Sequence, residues 1–186
     1  MPRLEKKRLP VLIADQLRQI VKACNVIERA IVLFMVDSGL RRAEVIALNW
    51  RDVDMQSGLV RVKKGKGKKD RSAVIGATTR RALLAYRWTI TPADNMPLFQ
   101  TREGGRFASD GFIQVFNRIK KRTGIHVSPH VLRRTFAILS LRAGMNALHL
   151  QNLGGWASLD MVQHYAQMVD EDLLQEHKAH SPIDNL

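Results

Sequence analysis

The 186-residue sequence has little of several residue types, and each shortage excludes a class of protein. A single cysteine, Cys24, allows no disulfide framework and no zinc site built on several cysteines, and it fits a reducing compartment. The longest apolar run, Ala30–Val36, is far shorter than the roughly 20 residues that cross a bilayer. Aromatic residues make up 6% of the chain and include two tyrosines, Tyr86 and Tyr165. We therefore expect a protein of a reducing compartment, such as a bacterial cytoplasm, with no membrane partner.

Acidic residues are also scarce: 17 Asp and Glu face 30 Lys and Arg, which gives a formal net charge of +13. Residues 61–71 and 116–134 carry much of this excess, whereas the last 17 residues are acidic. Either basic cluster alone could be a solvated face, but two clusters in so basic a chain favour a polyanionic partner, nucleic acid above all. Neither a carboxylate cluster nor a Cys/His ligand spacing is present, so we expect no metal and no cofactor.

Hydrophobic residues make up 45% of the chain, which suffices for a core that needs no disulfide bonds or structural metal. Apolar periodicity predicts helices over residues 12–24, 27–37, 41–48, 78–88, 109–122, 129–142, 146–153, 158–168 and 170–178. Residues 59–63 and 71–75 alternate as strands of a hairpin. Asp15, Ser109 and Ser128 are the expected N-caps, and Gly39 is expected to end the second helix in a left-handed conformation. The predicted fold class is mixed α+β, mainly α-helical, with a small antiparallel β-sheet on one side.

Two short motifs at predicted helix starts could bind an anion. His130 and Arg133 are three residues apart, so they share one helix face, and His130 lies in the first turn, where free N–H groups attract anions. Arg41 lies on a tight corner after Gly39, with Glu44 one turn further on to orient it. Each motif alone also fits a plainer interpretation, a capping histidine or a surface ion pair.

Two further motifs complete the set. Lys66 lies between two glycines in the predicted turn over residues 65–70, where the backbone can approach a ligand closely. The segment Leu153–Trp156 precedes Tyr165 by nine residues. Alone, the first fits a solvated lysine-rich hairpin and the second a core tyrosine.

In this order and at this spacing, the four motifs resemble those of the tyrosine recombinases, or phage integrases, over nearly the whole chain. The resemblance implies site-specific DNA recombination, in which strands are cleaved and rejoined through a 3′-phosphotyrosine. It implies a catalytic set with Tyr165 as the nucleophile and Glu44 as a supporting acid, the other members being Arg41, Lys66, His130, Arg133 and Trp156. We expect additional DNA contacts from Arg42, Lys64, Lys68, Lys69, Arg71 and Arg134.

The sequence departs from the family pattern in two respects. Many members have His where this chain has Trp156, and an indole has one donor and no acceptor, so it cannot shuttle a proton. Full-length members also carry an N-terminal DNA-clamping domain, which we expect to be absent here. The expected division is a basic linker remnant over residues 1–10, a catalytic domain over 11–168 and a tail helix over 169–186. The resemblance implies double-stranded DNA as partner, a free monomer, a tetramer on paired DNA sites, and a tail that docks on a neighbouring subunit. The residues of the tail fit equally a permanent cap on the protein's own core.

Two other functions stay open at this point. A type IB topoisomerase-like enzyme uses a similar set of Arg, Lys, His and Tyr but relaxes supercoiled DNA, and the Gly-Leu-Arg motif and short hairpin look more like the recombinases. A non-catalytic DNA-binding module could retain the fold, but all six expected active-site positions are filled.

Overall fold

The structure of the protein is a computed structural model that describes residues 10–63, 70–181 and 183. Within these residues the chain is mainly helical, with one small sheet between the third and fourth helices, as the sequence predicts. The helices are α1 Ala14–Ala23, α2 Val26–Ser38, α3 Arg42–Ala47, α4 Ala77–Ile90, α5 Ser109–Thr123, α6 Pro129–Arg142, α7 Ala147–Gly154 and α8 Asp160–His180. The strands are β1 Leu59–Val62 and β2 Arg71–Val74, preceded by a 3-10 turn at Trp50–Asp52.

The two strands pair antiparallel, with Val60 opposite Ala73 and Val62 opposite Arg71. Successive side chains of a strand point to opposite faces, and Val60, Val62 and Ala73 are buried. Arg71 therefore lies on the inner face of the sheet, two residues from Ala73. The predicted turn over residues 65–70 lies outside the described residues except for Asp70.

The core consists of two neighbouring clusters, and α6 contributes to both. The larger cluster packs α1, α2, α4 and α5 against the sheet and includes Phe34, Phe112 and Leu132. The smaller cluster lies beneath α7 and α8 and is built around Phe136 and Trp156. Because α6 crosses from one cluster to the other, its position is fixed by packing along its whole length. In its first turn, Pro129, Val131 and Leu132 are buried and His130 is exposed.

Two predicted helix ends are confirmed. Ser128 caps α6, since its hydroxyl accepts a hydrogen bond of 3.3 Å from the Val131 N–H, and Pro129 occupies the first helical position. Gly39 ends α2 with a φ of 60°, and its N–H donates to the Met35 carbonyl. These ends place Arg41 and His130 at the starts of α3 and α6.

Two predicted caps are wrong. Asp15 lies inside α1, where it pairs with Arg18 on the surface, and Ile13 occupies the capping position instead. Ser109 is the first helical residue of α5, and Ala108 precedes it without a side-chain hydrogen bond. In both cases the helix boundary lies one or two residues away from the expected one, which moves the polar side chain off the cap.

The two helices predicted over residues 158–168 and 170–178 are one helix, α8. No glycine or proline separates them, so nothing breaks the backbone hydrogen bonds between the two segments. The helix contacts α6 and α7, which joins it to the smaller core cluster. Although α8 has 21 residues, no helix in the described ranges is both long and apolar enough to span a membrane.

A buried carboxylate links α2 to α5. The Glu28 side chain is 2% exposed, pairs with Arg122, and lies 3.9 Å from the Arg118 guanidinium. It also accepts a hydrogen bond of 3.0 Å from the Asn25 N–H and so caps its own helix. Burial, followed by the nearby Glu28 charge, raises the pKa of the Cys24 thiol to about 11, so this cysteine is uncharged at neutral pH.

We predict that Glu28→Gln lowers the free energy of unfolding by about 2 kcal/mol, because it leaves the arginines on α5 without a buried counter-charge. The value falls below that for a fully buried pair since both arginines are partly exposed. Asp15→Asn, which breaks the exposed pair with Arg18, should change stability by less than about 0.5 kcal/mol. Urea unfolding of both variants measures the difference, and equal effects would contradict the structural role given to Glu28.

Candidate active site

Five of the six expected catalytic side chains line one cleft of about 370 Å3. The cleft lies where the start of α3, the start of α6 and the first turns of α8 meet. The five are Arg41, His130, Arg133, Trp156 and Tyr165. The sixth, Lys66, lies outside the described residues, as do Lys64, Lys68 and Lys69.

Arg133 is the most constrained cation of the cleft. Its side chain is buried, and its Nη1 donates to the Gly39 carbonyl, while its Nη2 is buried without a hydrogen-bond partner among the described residues. Its guanidinium carbon lies 4.2 Å from the centroid of the Trp156 ring, in cation–π geometry. Burial and then the nearby Arg41 charge lower the pKa of Arg133 to about 10. The group is therefore still charged at neutral pH.

Gly39 makes room for this arrangement. Its φ of 60° is a conformation that suits glycine, and a Cβ there would lie 2.1 Å from the Phe136 ring. The turn directs the Gly39 carbonyl towards Arg133 on the neighbouring helix α6. The glycine that ends α2 thus also fixes an arginine 94 residues away in sequence.

Arg41 connects the α3 corner to the segment before α8. Its Nη2 donates to the Gly155 carbonyl at 2.7 Å, and its Nη1 lies 3.2 Å from the Glu44 carboxylate. The Arg41 side chain is 45% exposed, so it can reach a ligand without leaving its partners. The structure therefore brings Arg41 and Glu44 together, as their spacing predicts.

Glu44 balances more than one arginine. One oxygen accepts from the Arg41 backbone N–H at 2.8 Å and from the Arg71 Nη2 at 2.8 Å. The other oxygen faces the Arg41 guanidinium. Because its side chain is only 15% exposed, this carboxylate is shielded from water and its interactions are stronger than those of a surface pair.

Trp156 and Tyr165 form the α8 side of the cleft. The Trp156 ring is buried, stacks on Phe136 with an interplanar angle of 7°, and lies 5.8 Å from the Tyr165 ring centroid. Tyr165 is partly exposed and lines the cleft, whereas Tyr86 is buried in the larger core cluster. Of the two tyrosines, only Tyr165 is placed to meet a ligand in the cleft.

The remaining predicted contacts divide into two groups. Arg42 and Arg134 line the cleft beside Arg41 and Arg133, and His130 is exposed at the start of α6. Arg71, in contrast, does not face solvent: its side chain is 9% exposed and lies between Glu44 and the end of α7. This inward position does not fit the DNA contact that the sequence predicts for Arg71.

Sequence reasoning missed the groups that hold the cations. The carbonyls of Gly39, Leu153 and Gly155 accept hydrogen bonds from arginines, and no residue-type pattern indicates a backbone acceptor. Phe136 supports Trp156 from below, and its place on the apolar face of α6 was the available signal. Among the described residues, no group of three or more His, Cys, Asp or Glu side chains is arranged to hold a metal ion.

The model of the phage integrase family matches residues 10–172, so the chain belongs to that family. Among curated relatives, it is 28% identical over 178 residues to the tyrosine recombinase XerA of Saccharolobus solfataricus, a match covering 95% of this chain and 58% of the relative. It is 35% identical over 168 residues to the tyrosine recombinase XerD of Ralstonia nicotianae, covering 83% and 53%. The chain thus spans little more than half the length of these relatives.

Solved structures agree with this placement. The crystal structure of XerA recombinase covers 97% of this chain and 67% of that chain, with a TM-score of 0.84 and 29% identity. XerH recombinase bound to its difH substrate in a pre-cleavage complex covers 86% and 51%, with a TM-score of 0.71 and 21% identity. The second likeness shows the shared fold alone.

We predict that Trp156→Ala lowers the free energy of unfolding by about 3–4 kcal/mol, because it leaves a cavity between Phe136 and Arg133. Trp88→Ala is the matched control: Trp88 is 85% exposed, and its loss should change stability by less than about 0.5 kcal/mol. Chemical denaturation of both variants tests this. Similar losses at the two positions would show that Trp156 does not pack as described.

Proposed function

We propose that this chain is the catalytic domain of a site-specific DNA recombinase that cleaves and rejoins strands through a 3′-phosphotyrosine. The observation that carries the proposal is the convergence of two arginines, a histidine, a tryptophan and a tyrosine on one cleft from segments far apart in sequence. Membership of the phage integrase family supports it, as do the names of the relatives XerA and XerD, both tyrosine recombinases. XerH, which shares the fold, was solved with its DNA substrate.

Phosphate binding is the proposed role of the two arginines. A guanidinium can fork onto a non-bridging phosphate oxygen, and negative charge grows on these oxygens as phosphorus becomes five-coordinate. The unpartnered Nη2 of Arg133 and the half-exposed side chain of Arg41 supply the donors. Glu44 keeps Arg41 oriented without occupying all of its nitrogens.

The proposed chemical step is a displacement at phosphorus. The Tyr165 hydroxyl oxygen bonds to phosphorus, the bond from phosphorus to the 5′ oxygen breaks, and a 3′-phosphotyrosine remains. The phenol proton passes to His130 as general base, and Lys66 donates a proton to the departing 5′ oxygen. Attack by a 5′ hydroxyl on the phosphotyrosine reverses these transfers, so resealing needs no ATP, metal or cofactor.

Trp156 has a different proposed role from the histidine found in many family members. An indole donates one hydrogen bond and accepts none, so it cannot exchange protons with the reaction. Its contacts with Arg133, Phe136 and Tyr165 suit a packing role that holds the nucleophile against the phosphate-binding arginine.

Double-stranded DNA is the proposed partner, bound by Arg42 and Arg134 at the cleft together with Lys64, Lys68 and Lys69. We further propose the domain limits expected from the sequence, with residues 11–168 as the catalytic unit working at the bacterial nucleoid. The free chain is proposed to be a monomer and to form a tetramer on paired sites, with residues 169–186 docking on a neighbouring copy. The acidic character of this tail suits the basic surface of another copy.

Tyr165→Phe should abolish a denaturation-resistant adduct with a nicked DNA substrate whose short leaving strand diffuses away, because phenylalanine has no hydroxyl to attack phosphorus. DNA affinity should stay unchanged. Tyr86→Phe is the control and should still form the adduct, since the Tyr86 hydroxyl is engaged with the Gln100 N–H in the core. Gel electrophoresis of labelled DNA after denaturation measures both variants.

Two outcomes would contradict the proposal. An adduct that persists in Tyr165→Phe and disappears in Tyr86→Phe would show that the nucleophile is Tyr86 and not Tyr165. Relaxation of supercoiled DNA that lacks paired recombination sites, without strand exchange, would favour the topoisomerase-like alternative.

Lys66→Ala should slow cleavage of an ordinary phosphodiester by about 10²–10⁴-fold, the usual contribution of a general acid. A substrate with sulfur in place of the bridging 5′ oxygen should be cleaved at nearly the unchanged rate, because a thiolate departs without a proton. Single-turnover rates on the two substrates give the comparison. Equal defects on both would mean that Lys66 binds the phosphate rather than protonating the leaving group.

A further inference from the structure

Arg71 lies at the junction of three segments that build the cleft. It begins β2 on the inner face of the sheet, five residues after Lys66 in sequence. Its Nη2 donates to Glu44 on α3 at 2.8 Å, and its Nη1 donates to the Leu153 carbonyl in the last turn of α7 at 2.5 Å. One side chain therefore bonds to two other elements that carry or precede expected catalytic residues.

Gly155 closes this junction. A Cβ at Gly155 would lie 2.4 Å from the Arg71 Nε, and the φ of 65° also favours glycine there. The Gly155 carbonyl in turn accepts from Arg41. A continuous set of hydrogen bonds thus lies directly before Trp156. It joins the side chains of Arg71, Arg41 and Glu44 to the backbone from Leu153 to Gly155.

We propose that Arg71 is a positioning residue for strand cleavage, which holds Glu44 and the end of α7 so that Arg41, Trp156 and Tyr165 keep their places in the cleft. The inference rests on the proposed function. It replaces the DNA contact expected for Arg71, because its guanidinium faces inward and both terminal nitrogens are engaged by protein acceptors. A lysine cannot substitute, since one ammonium group does not present the planar fork that reaches both acceptors.

Arg80 offers a matched control. Its Nη1 donates to the Met55 and Gln56 carbonyls, and its Nε, like that of Arg71, is buried without a partner among the described residues. It does not line the cleft. Removing either arginine frees backbone carbonyls, but only Arg71 connects to the expected catalytic residues.

The test compares Arg71→Met, Arg71→Lys and Arg80→Met with the unchanged chain, each assayed at the same interval below its own Tm. At saturating nicked DNA, Arg71→Met should cleave about 100-fold more slowly with Kd altered less than about threefold, because misplacement of about 1 Å has that effect on rate. Arg71→Lys should stay close to Arg71→Met, and Arg80→Met close to the unchanged chain. Full recovery in Arg71→Lys, equal losses in Arg71→Met and Arg80→Met, or weaker DNA binding with an unchanged saturated rate would each overturn the inference.

Hydrogen exchange provides a readout that needs no activity. The amides of Gly155 and Trp156 donate to the Asn152 and Gln151 carbonyls at 3.2 and 3.1 Å, and they should exchange faster in Arg71→Met but not in Arg80→Met. If the unchanged chain forms no adduct with DNA, the proposed function fails. Hydrogen exchange alone then tests the positioning role of Arg71. Unchanged protection of these two amides in Arg71→Met would then overturn the positioning role.

Discussion

Positive charge held out of water is the constraint on which the rest of the cleft depends. Burial lowers the pKa of both Arg71 and Arg133, and the nearby Arg41 charge lowers both further. Glu44 opposes this effect with a shielded carboxylate, and the face of the Trp156 ring adds a weaker attraction for Arg133. Without these groups, burying the charged arginines would lower the stability of the folded chain. The contacts that shape the site therefore also stabilise the fold.

Backbone carbonyls supply the rest of that balance, and glycines determine where they point. Gly39 and Gly155 both adopt positive φ, and the carbonyls of both accept from an arginine of the cleft. The neighbouring Gly154 leaves space for the Trp156 ring, which a Cβ would meet at 1.9 Å. Gly39 and Gly155 therefore each act twice: each turns the chain, and each leaves space for a neighbouring side chain, Phe136 beside Gly39 and Arg71 beside Gly155. A carbonyl dipole stabilises a buried guanidinium, and it does so without adding a negative charge that would repel a phosphate.

Sequence patterns predicted those features that depend on neighbours along the chain. The cap at Ser128, the position of Arg41 beside Glu44 and the two strands follow from local spacing, and the motif order indicated the family. The partners of the buried arginines could not be predicted, because the Arg133 acceptor lies 94 residues away and is a backbone atom. Arg71 had a readable signal: it lies two residues before the buried Ala73 along β2, and residues at i and i+2 of a strand share one face of the sheet. Its charge, taken alone, suggested solvent and DNA instead.

The unpartnered donor of Arg133 connects this electrostatic balance to the proposed reaction. A buried N–H without an acceptor is unfavourable, and a phosphate oxygen in the cleft would satisfy it while offsetting the cost of burying the charged guanidinium beside Arg41. The gain increases as charge develops on the oxygen, so the interaction is stronger in the transition state than with the bound substrate. A carboxylate placed directly on Arg133 would remove this advantage by filling the position in advance. Glu44 instead bonds to Arg41 and Arg71, which leaves the Arg133 Nη2 available for the proposed phosphate contact.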